Sequence, residues 1–232
     1  MCGRFDIHSA IEIIAKIFDI DDVSSDFAAN YNAAPGQNIL IVVNAGNKNR
    51  LILSRWGFLP SWAKETRTGY SRKAYSRKAY SMINARAETI DSNRSYKDAF
   101  LKGRCLVVAD GFYEWQRRDR VKVPYYIHLR SGVPMAFGGL YNNWRSPGGE
   151  EICTSAIVTT DANELVALIH DRMPVILHHE DFSQWLNPEV HDKGILKALL
   201  KPLPSEELEA YTVSPKVNSY KVNSPDNIKP AT

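Results

Sequence analysis

The chain opens Met1-Cys2-Gly3-Arg4, so loss of the initiator methionine leaves a cysteine whose thiol and free α-amine stand on adjacent carbons. An α-amine has an ordinary pKa of about 7.7–8.0 and a cysteine thiol one of about 8.5, so both nucleophilic forms are populated near neutral pH. Such an aminothiol attacks one aldehyde carbon twice, first as an imine and then by closing a thiazolidine ring. The ring resists reversal because two bonds must break in order, whereas a thiol alone gives a labile hemithioacetal and a lysine a hydrolysable imine. The dipeptide by itself is also open to the plainer reading, a cysteine that happens to lie near the chain start.

Three further segments gather polar residues within apolar surroundings: Ile83-Asn84-Ala85-Arg86-Ala87-Glu88-Thr89, Gly111-Phe112-Tyr113-Glu114-Trp115 and Ile169-His170-Asp171-Arg172-Met173-Pro174. Glu114 stands among bulky aromatics, where desolvation raises a carboxyl pKa towards values useful for proton transfer. Ion pairing with one of the many arginines explains it equally well. His170 follows an expected helix end, where an imidazole serves as a general acid or as a cation favoured by the helix dipole; position alone favours the second reading. Arg55-Trp56-Gly57-Phe58-Leu59-Pro60-Ser61-Trp62 puts two large rings on a Gly/Pro-shaped turn, suited to stacking on unpaired bases. Trp115, Trp144 and Trp185 read as core. His178-His179-Glu180-Asp181 matches no zinc spacing, and no metal or cofactor is expected.

With 232 residues, 44% hydrophobic and 24% charged, the chain can bury a sizeable core as a single domain. No run reaches the ~18 consecutive apolar residues of a membrane span, and MCGRFDIHSA lacks the apolar stretch of a secretory signal, so a cytoplasmic protein is expected; it is read as a monomer. Three cysteines without C-x-x-C spacing argue against a disulfide framework, and Cys105 and Cys153 read as small core residues. A net charge of +3 says little about partners, but its distribution says more. Between Lys64 and Arg86 there are seven basic residues, among them Arg72 and Arg77, against one acidic residue, with three tyrosines interleaved. Basic residues meet phosphates, and aromatic rings meet unstacked bases.

Positioning these groups falls to a mixed set of elements. Ser9-Ala10-Ile11-Glu12 has capping-box form, and Ala10, Ile13, Ile14, Ile17 and Phe18 follow helical spacing, which predicts a helix over 9–18 with that face in the core. Asn38–Val43 and Arg50–Trp56 read as a hairpin, Ser95–Leu101 as a short capped helix, and Arg104–Ala109, Val121–Leu129, Pro134–Leu140 and Ser155–Thr160 as strands. Helical segments return near 162–169, 180–186 and 192–200. The order predicts an α+β fold, a single domain with a β-rich, largely antiparallel, barrel-like core and peripheral helices. Ser71-Arg72-Lys73-Ala74-Tyr75 is repeated directly as residues 76–80, and Lys216-Val217-Asn218-Ser219 recurs as residues 221–224. The first repeat reads as a lengthened surface loop, and the tail after about 214, rich in Asn, Ser and Pro, as extended or partly mobile.

Together with Tyr31-Asn32-Ala33-Ala34-Pro35, these motifs resemble the SOS-response-associated peptidase (SRAP) family over nearly the whole chain. The resemblance implies a DNA-repair protein that senses abasic sites in single-stranded DNA and traps them as a covalent DNA–protein crosslink through the N-terminal cysteine. It also implies lyase and self-processing peptidase activity, on a mixed α/β domain with a positive groove. Carried over residue by residue, it makes Cys2 the crosslinking nucleophile, Asn84 a group holding the abasic sugar, and Glu114 and His170 the acid/base pair. Arg4, Trp56, Trp62, Arg72, Arg77 and Arg86 become strand-positioning, DNA-binding residues. The doubled loop ahead of Asn84 departs from the family pattern and bears on Arg72 and Arg77.

Two rivals come from other classes. Glutamine amidotransferases of the second class also begin Met-Cys-Gly, with the thiol attacking an amide and the α-amine acting as base. They do not carry the Asn84, Glu114 and His170 motif set. The other rival is a single-strand binder without chemistry, whose salt-sensitive binding would persist while covalent capture would not.

Overall fold

The computed structural model describes residues 2–23, 27–63, 82–119, 121–145 and 149–231. The β-rich runs become strands β1 (Phe5–Ile7), β2 (Asp22–Val23), β3 (Asn30–Ala33), β4 (Asn38–Asn44), β5 (Asn49–Trp56), β6 (Asn84–Arg86) and β7 (Arg104–Ala109). They continue as β8 (Gly111–Arg118), β9 (Val121–Leu129), β10 (Met135–Arg145), β11 (Glu151–Asp161), β12 (Arg172–Pro174), β13 (Ile176–Leu177) and β14 (Leu208–Thr212). Helices are short: α1 (Ile11–Ile17), α2 (Lys97–Lys102), α3 (Glu164–Ala167), α4 (Phe182–Leu186) and α5 (Lys193–Ala198). The result is one mixed α+β domain, with mostly antiparallel strands and helices at the periphery.

The strands form two sheets. The larger runs β12-β11-β10-β7-β4-β5-β2, and its middle strand β7 is buried along its whole length, which is why Arg104–Ala109 reads as an unbroken apolar run after its first residue. Even Arg104 is buried there, its guanidinium donating to the carbonyls of Phe100, Leu101, Trp185, Asn187 and Val190. The smaller sheet runs β14-β9-β8-β1-β3. In it, β1 lies antiparallel to β8 with Phe5 opposite Phe112, and Tyr113 N donates to the Arg4 carbonyl at 2.9 Å. Running that register on carries the N-terminal residues past Glu114. Gly111 permits the packing of this sheet, since a Cβ there would stand 2.3 Å from the Tyr126 ring.

Two connections bring distant segments together on β11. Thr159 pairs with Arg86 of β6 on one side and with Pro174 of β12 on the other. The Asn84 and His170 segments therefore meet around one strand.

Several expectations need correction. The first helix begins at Ile11 with Ala10 as N-cap and no side-chain cap, because the Ser9 hydroxyl and amide both donate to Asp110 instead. Ile13 of the expected apolar face is exposed. Residues 213–231 are not an extended tail: they hold 3₁₀ turns at Pro215–Asn218 and Pro225–Ile228, and Val217 and Asn227 are buried. Asn32 explains the difference, donating to the carbonyls of Val217, Ser219 and Val222. Val217 joins Tyr113, Tyr126 and Val213 in a second apolar cluster over the small sheet. The two Lys-Val-Asn-Ser copies also do different work, since Asn218 accepts from the Trp115 indole and Asn223 from Tyr31 N. No described helix is long and apolar enough to cross a membrane.

Candidate functional site

Asn84 opens β6 and turns its carboxamide towards the chain start, where Nδ2 donates to the Cys2 carbonyl at 2.9 Å. Its own backbone carbonyl accepts from the Tyr96 hydroxyl at 3.0 Å, which holds β6 against the residues before α2. Asn84 Oδ1 is buried with no hydrogen-bond partner among the described residues, so one acceptor remains beside residue 2. Cys2 itself is fully buried, with Sγ 4.0 Å from the Arg4 carbonyl. Burial pushes its thiol far above the usual range, and the Glu114 charge adds to the rise. A thiol so placed holds its proton and needs a neighbouring base to give it up.

Glu114 lies on β8, only 4% exposed. Desolvation raises its pKa, and the neighbouring His170 partly opposes the rise. His170 follows α3, its amide donating to the Val166 carbonyl. Its Nδ1 lies 3.0 Å from the Arg172 amide and 2.9 Å from Asp171 Oδ1. A neutral Nδ1 accepts from Arg172, and a protonated one donates to Asp171. Glu114 and His170 share an open cavity of ≈ 310 Å³ with Trp115, Lys122 and Asn218. Cys2, Asn84, Glu114 and His170 are thus linked in a chain of contacts and charge interactions drawn from four separate segments.

The expected strand-positioning residues divide. Trp56 is a correction: it is fully buried, tilted on Phe5 at 5.1 Å, and donates to the Ile83 carbonyl, so it is core and cannot stack on a base. Trp62 remains 42% exposed, with the Arg94 guanidinium 4.8 Å over its ring. Arg86 is exposed on β6. Arg4 is half-buried and committed to the fold, donating to Asn32 Oδ1 at 2.7 Å and to the Val217 carbonyl at 3.0 Å. Arg72, Arg77 and the repeated Ser-Arg-Lys-Ala-Tyr loop lie outside the described residues. Trp115 is a second correction, since its ring lines the cavity while Trp144 and Trp185 are core. Lys122 and Asn218, also on the cavity, carried no chemical signal in the sequence beyond their residue types.

Two histidine groupings have residue types that could ligate a metal. In the His178–Asp181 segment the rings turn to different acids, His179 to Asp19 at 2.9 Å and His178 to Glu207 at 3.8 Å. Asp6, His8 and Asp110 have ligand-like spacing, but Asp110 already accepts from the amides of His8 and Ser9 and the Ser9 hydroxyl, while Asp6 holds His8 Nδ1 at 2.6 Å. That arrangement ties β1 to the β7–β8 turn.

The sequence profile of the family described as SOS response associated peptidase (SRAP) matches residues 1–220. The chain belongs to the SRAP family. Among its relatives, this SRAP chain is 44% identical over 232 residues to the abasic site processing protein YoqW of Bacillus subtilis (strain 168), covering 99% of each. It is 32% identical to the abasic site processing protein HMCES of Gallus gallus, over 88% of this chain and 67% of that one. A crystal structure of a protein from Bacteroides thetaiotaomicron superposes with a TM-score of 0.88 at 27% identity, covering 100% of both chains. The SRAP match spans all four site segments.

Proposed function

We propose that this SRAP protein processes abasic sites in single-stranded DNA, capturing the C1′ aldehyde of the open sugar as a thiazolidine on Cys2 after Met1 is removed. The reading rests on one observation above all, the Asn84–Cys2 bond, which holds residue 2 beside Glu114 and, through it, His170. The names of the relatives agree with the substrate.

The chemistry balances without a co-reactant. The freed Cys2 amine adds to C1′ and gives a carbinolamine. His170 delivers the proton with which its oxygen leaves as water, forming an iminium. Glu114 takes the thiol proton, and the sulfur closes the ring on the same carbon. One water is released overall. If ring closure lags, the iminium loses a C2′ proton and the 3′-phosphate leaves by β-elimination, which is the lyase branch. The buried, protonated thiol of the unprocessed chain fits this order of events, because capture waits for cleavage of the Met1–Cys2 bond, the peptidase step. Arg86 and Trp62 supply phosphate and base contacts.

The test is a denaturing gel of processed protein with an abasic single-stranded oligonucleotide and with an intact one. A heat-stable adduct is expected only with the abasic strand, and C2A abolishes it while leaving some strand cleavage through its α-amine. A persistent adduct in C2A defeats the proposal, as does glutamine turnover without any adduct, which favours the amidotransferase reading.

A further inference from the structure

One pair short of its turn, the hairpin that carries Glu114 into the cavity has two facing cations. Arg117 of β8 stands directly opposite Lys122 of β9, both are exposed, and cross-strand partners point to the same face of the sheet. Trp115, two residues back on β8, shares that face. Like charges placed opposite each other in an antiparallel pair destabilise it. Among the described residues no carboxylate pairs with either cation, although Arg50, Arg145, Arg172, Lys197 and Lys229 all have acidic partners. The pair thus presents two cations on one exposed face, without an acidic partner among the described residues. Lys122 also lines the cavity that holds Glu114 and His170, so an anion bridging the pair would sit at the edge of that cavity.

We infer that Arg117 and Lys122 form a phosphate clamp, taking the backbone phosphate of a nucleotide next to the abasic sugar. A phosphodiester fits better than a free carboxylate because it is the group that necessarily accompanies a sugar in this cavity, and two cations can share its two non-bridging oxygens. Both residues act as positioning residues: they hold the strand while Cys2, Glu114 and His170 do the chemistry. The inference uses the site of the proposed function, but the clamp is testable on DNA that cannot react.

The experiment measures binding of an intact, fluorescently labelled single-stranded oligonucleotide against NaCl concentration for the wild type, K122A, R117A and K122R. Each alanine variant should flatten the slope of log K against log salt by about 0.7, the loss of one phosphate contact on a single strand, and K122R should restore it. Unchanged slopes in both alanine variants overturn the clamp. With an abasic oligonucleotide, K122A should raise the half-saturating concentration for capture several-fold and retain the rate at saturation. A lost saturating rate at unchanged half-saturation would assign Lys122 to the chemistry and overturn the positioning role. K122A should melt at or above the wild-type temperature, since it removes one of two facing charges; a lower melting temperature counts against the clamp. If the wild type captures nothing yet the slopes shift, the clamp stands and the capture chemistry fails.

Discussion

Arg4 and Val217, from opposite ends of the chain, are joined by a 3.0 Å bond from the guanidinium to the carbonyl. The same guanidinium satisfies the buried Asn32 side chain, which in turn holds three carbonyls of the C-terminal segment. R4A therefore leaves a buried acceptor unpaired, at a cost of about 1–3 kcal/mol. Thermal unfolding should show a fall of several degrees, and R4K, which keeps the charge but not the fork, should recover only part of it.

Glu114 provides a trade-off between stability and activity. Its pKa is raised in the folded protein, chiefly by burial, so the native state binds its proton more tightly than the unfolded chain does. The stability linked to that proton is complete below the ordinary carboxylate range and is lost as pH rises through the raised value. E114Q should therefore unfold at a higher temperature than the wild type at neutral pH. Its capture rate should fall, with the acidic limb of the pH–rate profile removed; an unchanged profile would exclude Glu114 as a proton carrier.

Asp6 is fully buried, and burial pushes its pKa up to about 6. His8 beside it is also raised, mainly by the hydrogen bond to Asp6. Both shifts have the same sign, so this cluster's contribution to stability declines as pH rises from the unfolded carboxylate value near 4 through about 6 and beyond. Denaturant unfolding between pH 4 and 7 should show that decline, and D6N should flatten it.

The two tryptophans of the Arg55–Trp62 turn should separate cleanly. W56A removes a fully buried ring and should cost roughly 3–5 kcal/mol of stability. W62A should leave the unfolding temperature within a degree or two and weaken binding of single-stranded DNA by about 1–3 kcal/mol, the range for one base–aromatic stack. Equal stability losses in the two variants would refute the assignment of Trp62 to the DNA surface.

Local pattern was enough for the elements whose signals are local. The β4–β5 hairpin follows from two apolar runs around Asn44-Ala45-Gly46-Asn47, and β7 and β9 begin and end where the residue types change. Ser9 misled because its competing acceptor, Asp110, lies far along the chain, and a capping box cannot register a long-range rival. The C-terminal segment misled in the same way, since its Asn and Ser residues read as solvated until Asn32 is placed beneath their carbonyls.

For the site, residue chemistry alone identified an aminothiol at the chain start and three polar segments set in apolar runs, because nucleophilicity, charge and side-chain bonding are properties of single residues. Which of these residues meet was decided by tertiary structure. β11 gathers the Asn84 and His170 segments, the β1–β8 register carries residue 2 past Glu114, and only packing separates Trp56 in the core from Trp115 on the cavity. Burial and proximity belong to the folded chain as a whole, and a reading of neighbours along the sequence cannot supply them.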